Sequence, residues 1–333
     1  MIFKKENVMK LYVNKRIIIF YLIILSFIII LTININKNKE EEIALGANLL
    51  YLDYEDNSVS NELIEDSEKF FRPSNLDILN GNDETNNLIN LYSGMEADSI
   101  EIPINYLISP EYTVINYFSV LREAANPVKD KYTGCGTLGR AKEPYPIAYN
   151  FLTKEYKSNI SYNKYEDSFK NILHINLIKL KEIPIDENIK DLKYFYEIET
   201  IQGTEFGAGA FVYYYGYIDL ERIDGIYKIS NMTIIPEEYL CAPYHRWDYD
   251  GKLSVLIRYG DWCNLLKEID KITIDGYVKN IYFKGNDGNE YRIEFYILTN
   301  DYDIEIAQFR KNEVGEWERI KINPEDRIKK ENL

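Results

Sequence analysis

The chain reads as an α+β protein: an amino-terminal transmembrane helix, then helices leading into a curved antiparallel sheet, then a smaller unit of one helix and a β-meander. Three observations give that reading. Residues 17–33 run without a charge, broken only by Ser26 and Thr32. Helical spacing of apolar residues between 110 and 172 then gives way to strand alternation. Finally, Asp224-Gly225 sits between two alternating runs, the strongest short-range sign of a hairpin. A length of 333 residues suits two globular units.

The uncharged run reaches roughly 26 Å as a helix, at the short edge of what spans a bilayer. A cleaved signal peptide is the competing reading, but the run exceeds the usual apolar core and its exit, Asn34 to Lys37, lacks a small-x-small site. Lys4, Lys5, Lys10, Lys15 and Arg16 precede it against Glu6 alone, which keeps the amino terminus inside. The expected layout is a cytoplasmic basic arm (1–16), a signal-anchor helix (17–35) and an extracytoplasmic remainder. The net charge of −15 then resolves into that arm and an exterior of 34 basic against 53 acidic side chains, −19. Residues 37–109 alone hold sixteen acidic and four basic side chains, so 36–107 reads as an acidic, solvated stalk. No calcium-loop spacing organises its carboxylates. Such a charge balance excludes nucleic acid as a partner.

Ser109-Pro110-Glu111 opens the first helix with a hydroxyl cap, proline at the first position and an acid in the first turn. Val114, Phe118, Leu121 and Ala125 share one face. A second helix begins near Pro146, with Ile147, Phe151 and Leu152 inward. Asn163 and Glu166, at capping-box spacing, announce a third that buries Tyr165, Phe169 and Ile172. Strands follow at 172–182, 192–203, 206–222 and 226–235. The two-residue turn pairs Arg222 with Tyr227, Leu220 with Ile229, Ile218 with Asn231, Gly216 with Thr233 and Tyr214 with Ile235. One face of this hairpin packs on the helices. On the other stand Phe211, Tyr213, Tyr215 and Tyr217, an aromatic row that needs a cover.

The three helices, the first reading TVINYFSVLREA and the third YNKYEDSFKNI, lead into a sheet that closes with LERIDGIYKISNMTI. Residues 108–236 thereby resemble the extracytoplasmic NTF2-like domains of bacterial membrane-anchored proteins. The resemblance implies a cone with helices over the sheet and a pocket between them, lined by Tyr117, Phe118 and Tyr214.

Residues 237–252 read as a connecting loop. In the carboxy-terminal unit (253–325), a helix over 255–270 turns Tyr259, Trp262, Leu265, Leu266 and Ile269 inward. Four strands follow at 272–284, 289–299, 302–311 and 315–322, and a charged tail (326–333) ends the chain. A unit this small is expected to dock on the first. Its landing site would be Phe211, Tyr213, Tyr215 and Tyr217, with Tyr215 and Tyr217 mostly buried.

Chemistry is sparse. Gly134-Cys135-Gly136-Thr137-Leu138-Gly139 matches a dinucleotide-binding pattern but follows a helix and lacks the βαβ setting the pattern requires. Cys241 and His245 form the one candidate thiol–imidazole pair. Cys241 with Cys263 is the better candidate disulfide. No grouping of histidines and cysteines suits zinc, so neither metal nor cofactor is expected. The resulting expectation is a non-enzymatic, membrane-anchored binding or spacer protein of the cell envelope. Its partner would be an envelope protein, a cell-wall component or a small apolar ligand. The alternatives are an extracytoplasmic hydrolase or transferase using Cys241 and His245, and a purely structural surface component.

Overall fold

A computed structural model describes residues 42–50, 74–133, 138–184, 192–205, 207–237 and 247–325. Its first elements are a small hairpin, β1 (Ile43–Ala44) and β2 (Ala47–Leu49), and a helix α1 (Glu84–Tyr92). The helices α2 (Pro110–Arg122), α3 (Pro144–Tyr149), α4 (Lys154–Asn159) and α5 (Tyr162–Asp167) follow. Proline opens α2, where its missing N–H removes no intrahelical bond. Hydroxyl caps start the next pair: Thr153 accepts from the Tyr156 amide and Ser161 from that of Lys164. The cap of α5 is therefore Ser161 and not Asn163. Glu166 is used otherwise, accepting from the Tyr162 hydroxyl at 2.8 Å and the Lys142 ammonium at 2.6 Å. The helix α4, whose only buried residue is Tyr156, is not anticipated, because one apolar position shows no helical period.

Strands β3 (Ile172–Glu182), β4 (Leu192–Gln202), β5 (Ala210–Ile223) and β6 (Ile226–Pro236) pair antiparallel in chain order. The hairpin joins through β2, parallel to β6, giving the order β1-β2-β6-β5-β4-β3. Next to the turn the register matches the expectation, with Arg222 opposite Tyr227 and Leu220 opposite Ile229. Beyond Leu220 it does not. An irregularity between Asp219 and Leu220 moves every later partner by one, so Ile218 faces Met232, Gly216 faces Ile234 and Tyr214 faces Pro236. The physical reason is the apolar pattern: an extra residue in β6 keeps Met232 and Ile234 on the helix side with Ile229, which strict alternation would not. It also turns Ile235 to the opposite face, beside Tyr215. Gly216 is required where it stands, because a β-carbon there would lie 1.9 Å from the Thr233 carbonyl oxygen.

Both rims of this sheet are covered. Along β6, the Tyr227 and Ile229 amides donate to the Leu107 and Phe151 carbonyls, while the Leu50 amide donates to Ile234. Along β3, Asn80 accepts from the Leu177 amide and donates to the Ile175 and Phe118 carbonyls. These bonds satisfy part of each strand edge. Of these partners, Leu50, Asn80 and Leu107 come from the region expected to be a solvated stalk. Leu45, Leu88, Ile89, Ile100, Ile102 and Leu107 are all buried in the main core, so much of 36–107 is part of the body. Net charge concealed this, since a few apolar residues spaced among carboxylates suffice to dock a segment.

The carboxy-terminal part also differs from the expectation. A short helix α6 (Gly251–Val255), capped by Asp250, continues as a π-helical segment (Leu256–Trp262). Five strands then form a meander: β7 (Leu266–Asp275), β8 (Val278–Gly285), β9 (Glu290–Ile297), β10 (Asp303–Lys311) and β11 (Trp317–Ile320). The expected helix over 255–270 ends early, and the expected strand 272–284 is two strands turning at Gly276, whose φ is +58°. Tyr259 is buried as anticipated; Leu265, Leu266 and Ile269 pack only at the edge of its cluster.

The expected fold class needs correction. Among the described residues no helix is long and apolar enough to cross a membrane. The longest, α2, has 13 residues and belongs to the core. The residues read as a signal-anchor, 17–35, lie outside the described residues, as do the arm 1–16 and the tail 326–333. What the structure gives is a mixed helix-and-sheet body with two sheets.

Candidate functional site

Of the three residues expected beside a pocket, Tyr117 and Phe118 are core. Tyr117 and Phe118 are 0% and 1% exposed, and Tyr117 sits edge-on to Phe118 and Phe151 with centroids 5.1 and 6.1 Å apart. Its hydroxyl lies 3.1 Å from that of Tyr165. The tip of the β1–β2 hairpin reaches the same place: a β-carbon on Gly46 would meet the Tyr165 ring and the Tyr117 hydroxyl, and the Gly46 carbonyl accepts from the Tyr156 hydroxyl at 3.0 Å. The chain's own rings and hairpin thus fill the space between helices and sheet. Burial holds both tyrosines well above the usual phenol range. Tyr214 stands at the margin, half-buried, its hydroxyl accepting from Gln202 at 2.8 Å.

On the opposite face, the second sheet covers part of the aromatic row. Tyr215 is 4% exposed and shares a cluster with Phe195, Ile235, Tyr296, Leu298 and Tyr302. Tyr217 packs against that cluster, and burial pushes its hydroxyl up to about 12. Tyr213 is buried differently, donating to Glu199 at 2.7 Å, and Phe211 stays half-buried at the end of the row. The interface also contains an ion pair. Lys179 Nζ lies 2.6 Å from Glu197 Oε2 and donates to the Ile297 carbonyl, while Glu197 accepts from the Thr299 amide and hydroxyl. Charge and hydrogen bonds together hold residues 297–299 against β3 and β4.

Near it runs a polar chain from His174 through Asn176 to Glu199 and Tyr213, with steps of 3.0, 3.1 and 2.7 Å. It ends on the Ser74 amide, 2.6 Å from Glu199. An amide side chain separates the imidazole from the carboxylate, so the array does not form an acid–base pair. Burial, then Arg122, holds the His174 imidazole below its ordinary range. A further cluster gathers Lys157 and Lys228 on Asn150, the first donating to its Oδ1 at 2.6 Å and the second to its carbonyl at 2.5 Å. Burial, with Lys157 beside it, lowers Lys228 to about 8.

Cys241 and His245 lie outside the described residues. Cys263 is buried with its sulfur 3.1 Å from the Arg258 carbonyl oxygen. Of the glycine-rich segment, Leu138 and Gly139 are described, in the connection from α2 to α3 and not between a strand and a helix. No group of three potential metal ligands occurs among the described residues.

Among the described residues an open groove lies elsewhere. On the second sheet a groove of about 400 Å³ is lined by Asp270, Lys271, Tyr282, Phe283, Lys284, Glu290, Tyr291, Lys311 and Trp317. Phe283 and Tyr291 are stacked at 5.1 Å and buried. Tyr282 and Trp317 stand above as half-buried rings, 5.6 Å apart and inclined at 60°. Tyr282 is on β8 and Trp317 on β11, three strands away, a separation of roughly 14 Å in a flat sheet. Curling of the sheet and the reach of the indole bring the rings together. Arg292 steadies them, lying 4.0 Å from the Phe309 ring and 5.4 Å from that of Trp317. Lys271 lies 4.7 Å over Tyr282. Lys284 pairs with Glu268 at 3.0 Å and Lys311 with Glu290 at 2.8 Å. Both glutamates are held below the usual carboxylate range by these lysines. Nothing in the sequence reading singled out this groove. The available signal was a strand pattern that places Tyr282, Arg292 and Trp317 on the polar side.

No protein-family model matches the chain, and no curated protein or solved structure is found similar to it.

Proposed function

We propose that the chain is a non-enzymatic binding or spacer module of the cell envelope, with an NTF2-like body over residues 108–236 and its ligand surface on the second sheet. The groove between Tyr282 and Trp317 carries this reading. It is concave, it presents half-buried rings together with charged groups, and its volume falls in the range of small-ligand sites. The order of helices followed by four antiparallel strands supports the NTF2-like reading. A position at the cell membrane, body outward, belongs to the proposal and is supported by the basic residues that precede the uncharged run of residues 17–33.

Sedimentation of the purified chain with an envelope fraction from its own cells tests the binding reading. Retention that is lost in Trp317→Ala and in Lys271→Ala, with circular dichroism unchanged, is the expected result. No retention, or retention indifferent to both substitutions, would overturn it. Protease treatment of intact cells tests the location: digestion of the body is expected, and full protection refutes an outward-facing position.

A further inference from the structure

We infer that the groove takes an uncharged saccharide; this rests on the reading that the second sheet carries the ligand surface. The argument begins with the two rings. Tyr282 and Trp317 meet edge-on and half-buried at the groove, with Lys271 over the Tyr282 ring. An aromatic face is electron-rich and its edge electron-poor. It therefore attracts the polarised C–H bonds on the flat side of a sugar ring. Arg292, wedged between Phe309 and Trp317, acts as a positioning residue that fixes the indole.

The charges around the rings select against ions. Lys271, Lys284 and Lys311 line the groove together with Asp270 and Glu290, and the pairs Lys284–Glu268 and Lys311–Glu290 are already formed. An anionic ligand would meet Asp270 and Glu290 and compete with carboxylates for the lysines. A cation would face three ammonium groups. A polyol suffers neither conflict. Each hydroxyl both donates and accepts, so neighbouring hydroxyls can bridge a lysine and a glutamate without separating them. Such hydrogen bonds to charged groups are also stronger than neutral ones. Donors and acceptors alternating beside an aromatic platform thus match a neutral sugar better than a charged or purely apolar molecule. A volume of about 400 Å³ fits one to a few sugar rings.

The test uses the full chain and defined probes: chitotetraose, cellotetraose and maltotetraose as uncharged oligomers, and polygalacturonate as the anionic one. Saturation-transfer NMR reads binding without relying on tryptophan, and the emission of Trp317, taken as the difference from Trp317→Phe because Trp247 and Trp262 also emit, is a second readout. We expect at least one uncharged oligomer to bind with little dependence on salt. Trp317→Ala should weaken it by at least about tenfold, as should the exposed-site variant Lys271→Ala, whose fold is checked by circular dichroism. Binding of polygalacturonate alone, falling steeply with salt, would overturn the saccharide class proposed here. So would envelope retention dependent on Trp317 while every uncharged oligomer fails to bind, an outcome that leaves the binding reading standing. Failure of both the oligomers and the envelope fraction would remove both readings.

Discussion

Replacing Lys179 with methionine removes half of an ion pair that is withdrawn from water. The ammonium lies 2.6 Å from Glu197, and the two side chains are 4% and 0% exposed. Methionine retains an apolar stem of similar length but leaves the Glu197 carboxylate supported only by the Thr299 amide and hydroxyl. Breaking a buried pair from one side costs about 3–5 kcal/mol, because the remaining charge is uncompensated. At roughly 2–4 °C per kcal/mol, the unfolding midpoint of a body this size should fall by about 6–20 °C. The double variant Lys179→Met/Glu197→Gln should lose less than the sum of the single losses, with a coupling of about 1–3 kcal/mol. Urea and thermal unfolding of the full chain, followed by circular dichroism, measure all three variants. A loss below about 1 kcal/mol for Lys179→Met, the range of an exposed pair, would refute the argument. It would mean that the pair stands in water and that the sheets do not dock through residues 179, 197 and 299.

Three other perturbations follow from the same geometry. Gly216→Ala drives a β-carbon to 1.9 Å from a backbone oxygen and should cost about 3 kcal/mol or more, seen as a lowered urea midpoint. Ser161→Ala should cost about 1 kcal/mol and Asn163→Ala much less, since the serine is the cap; equal losses would restore the capping-box reading. Lys228 titrates at about 8 when folded and near 10.4 when unfolded, so above pH 8 the unfolded chain holds more protons and stability should rise with pH. Tyrosines that burial holds above their ordinary range, Tyr117 and Tyr145 among them, lower the stability of both chains as pH approaches 10, so the Lys228 contribution is read as the difference between wild type and Lys228→Met, which should grow between about pH 8 and 10.

Much of the first sheet was legible because alternation is local. Strands β3 to β6 lie within a few residues of where period and turn chemistry place them. Asp224-Gly225 marks its hairpin, and the same dipeptide at Asp275-Gly276 turns β7 into β8 where the alternation alone predicts one continuous strand. The bulge near Asp219 could not be read from alternation, which assumes one residue opposite one. Tertiary packing gives the acidic region its place: Leu88 and Ile89 are buried in a helix whose neighbouring positions are mostly asparagine, between Asp83-Glu84 and Glu96. The groove was hidden for a related reason, as Tyr282 and Trp317 are neighbours only through the curl of a sheet. The pocket residues show the converse, since a resemblance to a cone carries no information about a hairpin that fills it.

The β1–β2 hairpin also constrains the order of events during synthesis. Asn48 leaves the ribosome early, yet its side chain donates to Asn231, 183 residues later. At typical elongation rates the wait is roughly 10–40 s. Through that interval Leu45 and Ala47, both destined for the core, remain without their partners, and the β6 edge they complete does not yet exist. Amino-terminal residues would thus be among the last to dock, and the nascent chain would depend on this acidic stretch to stay dispersed until β6 emerges. Charge that looks idle in the finished protein would then act earlier, as a solubility device of the unfinished one.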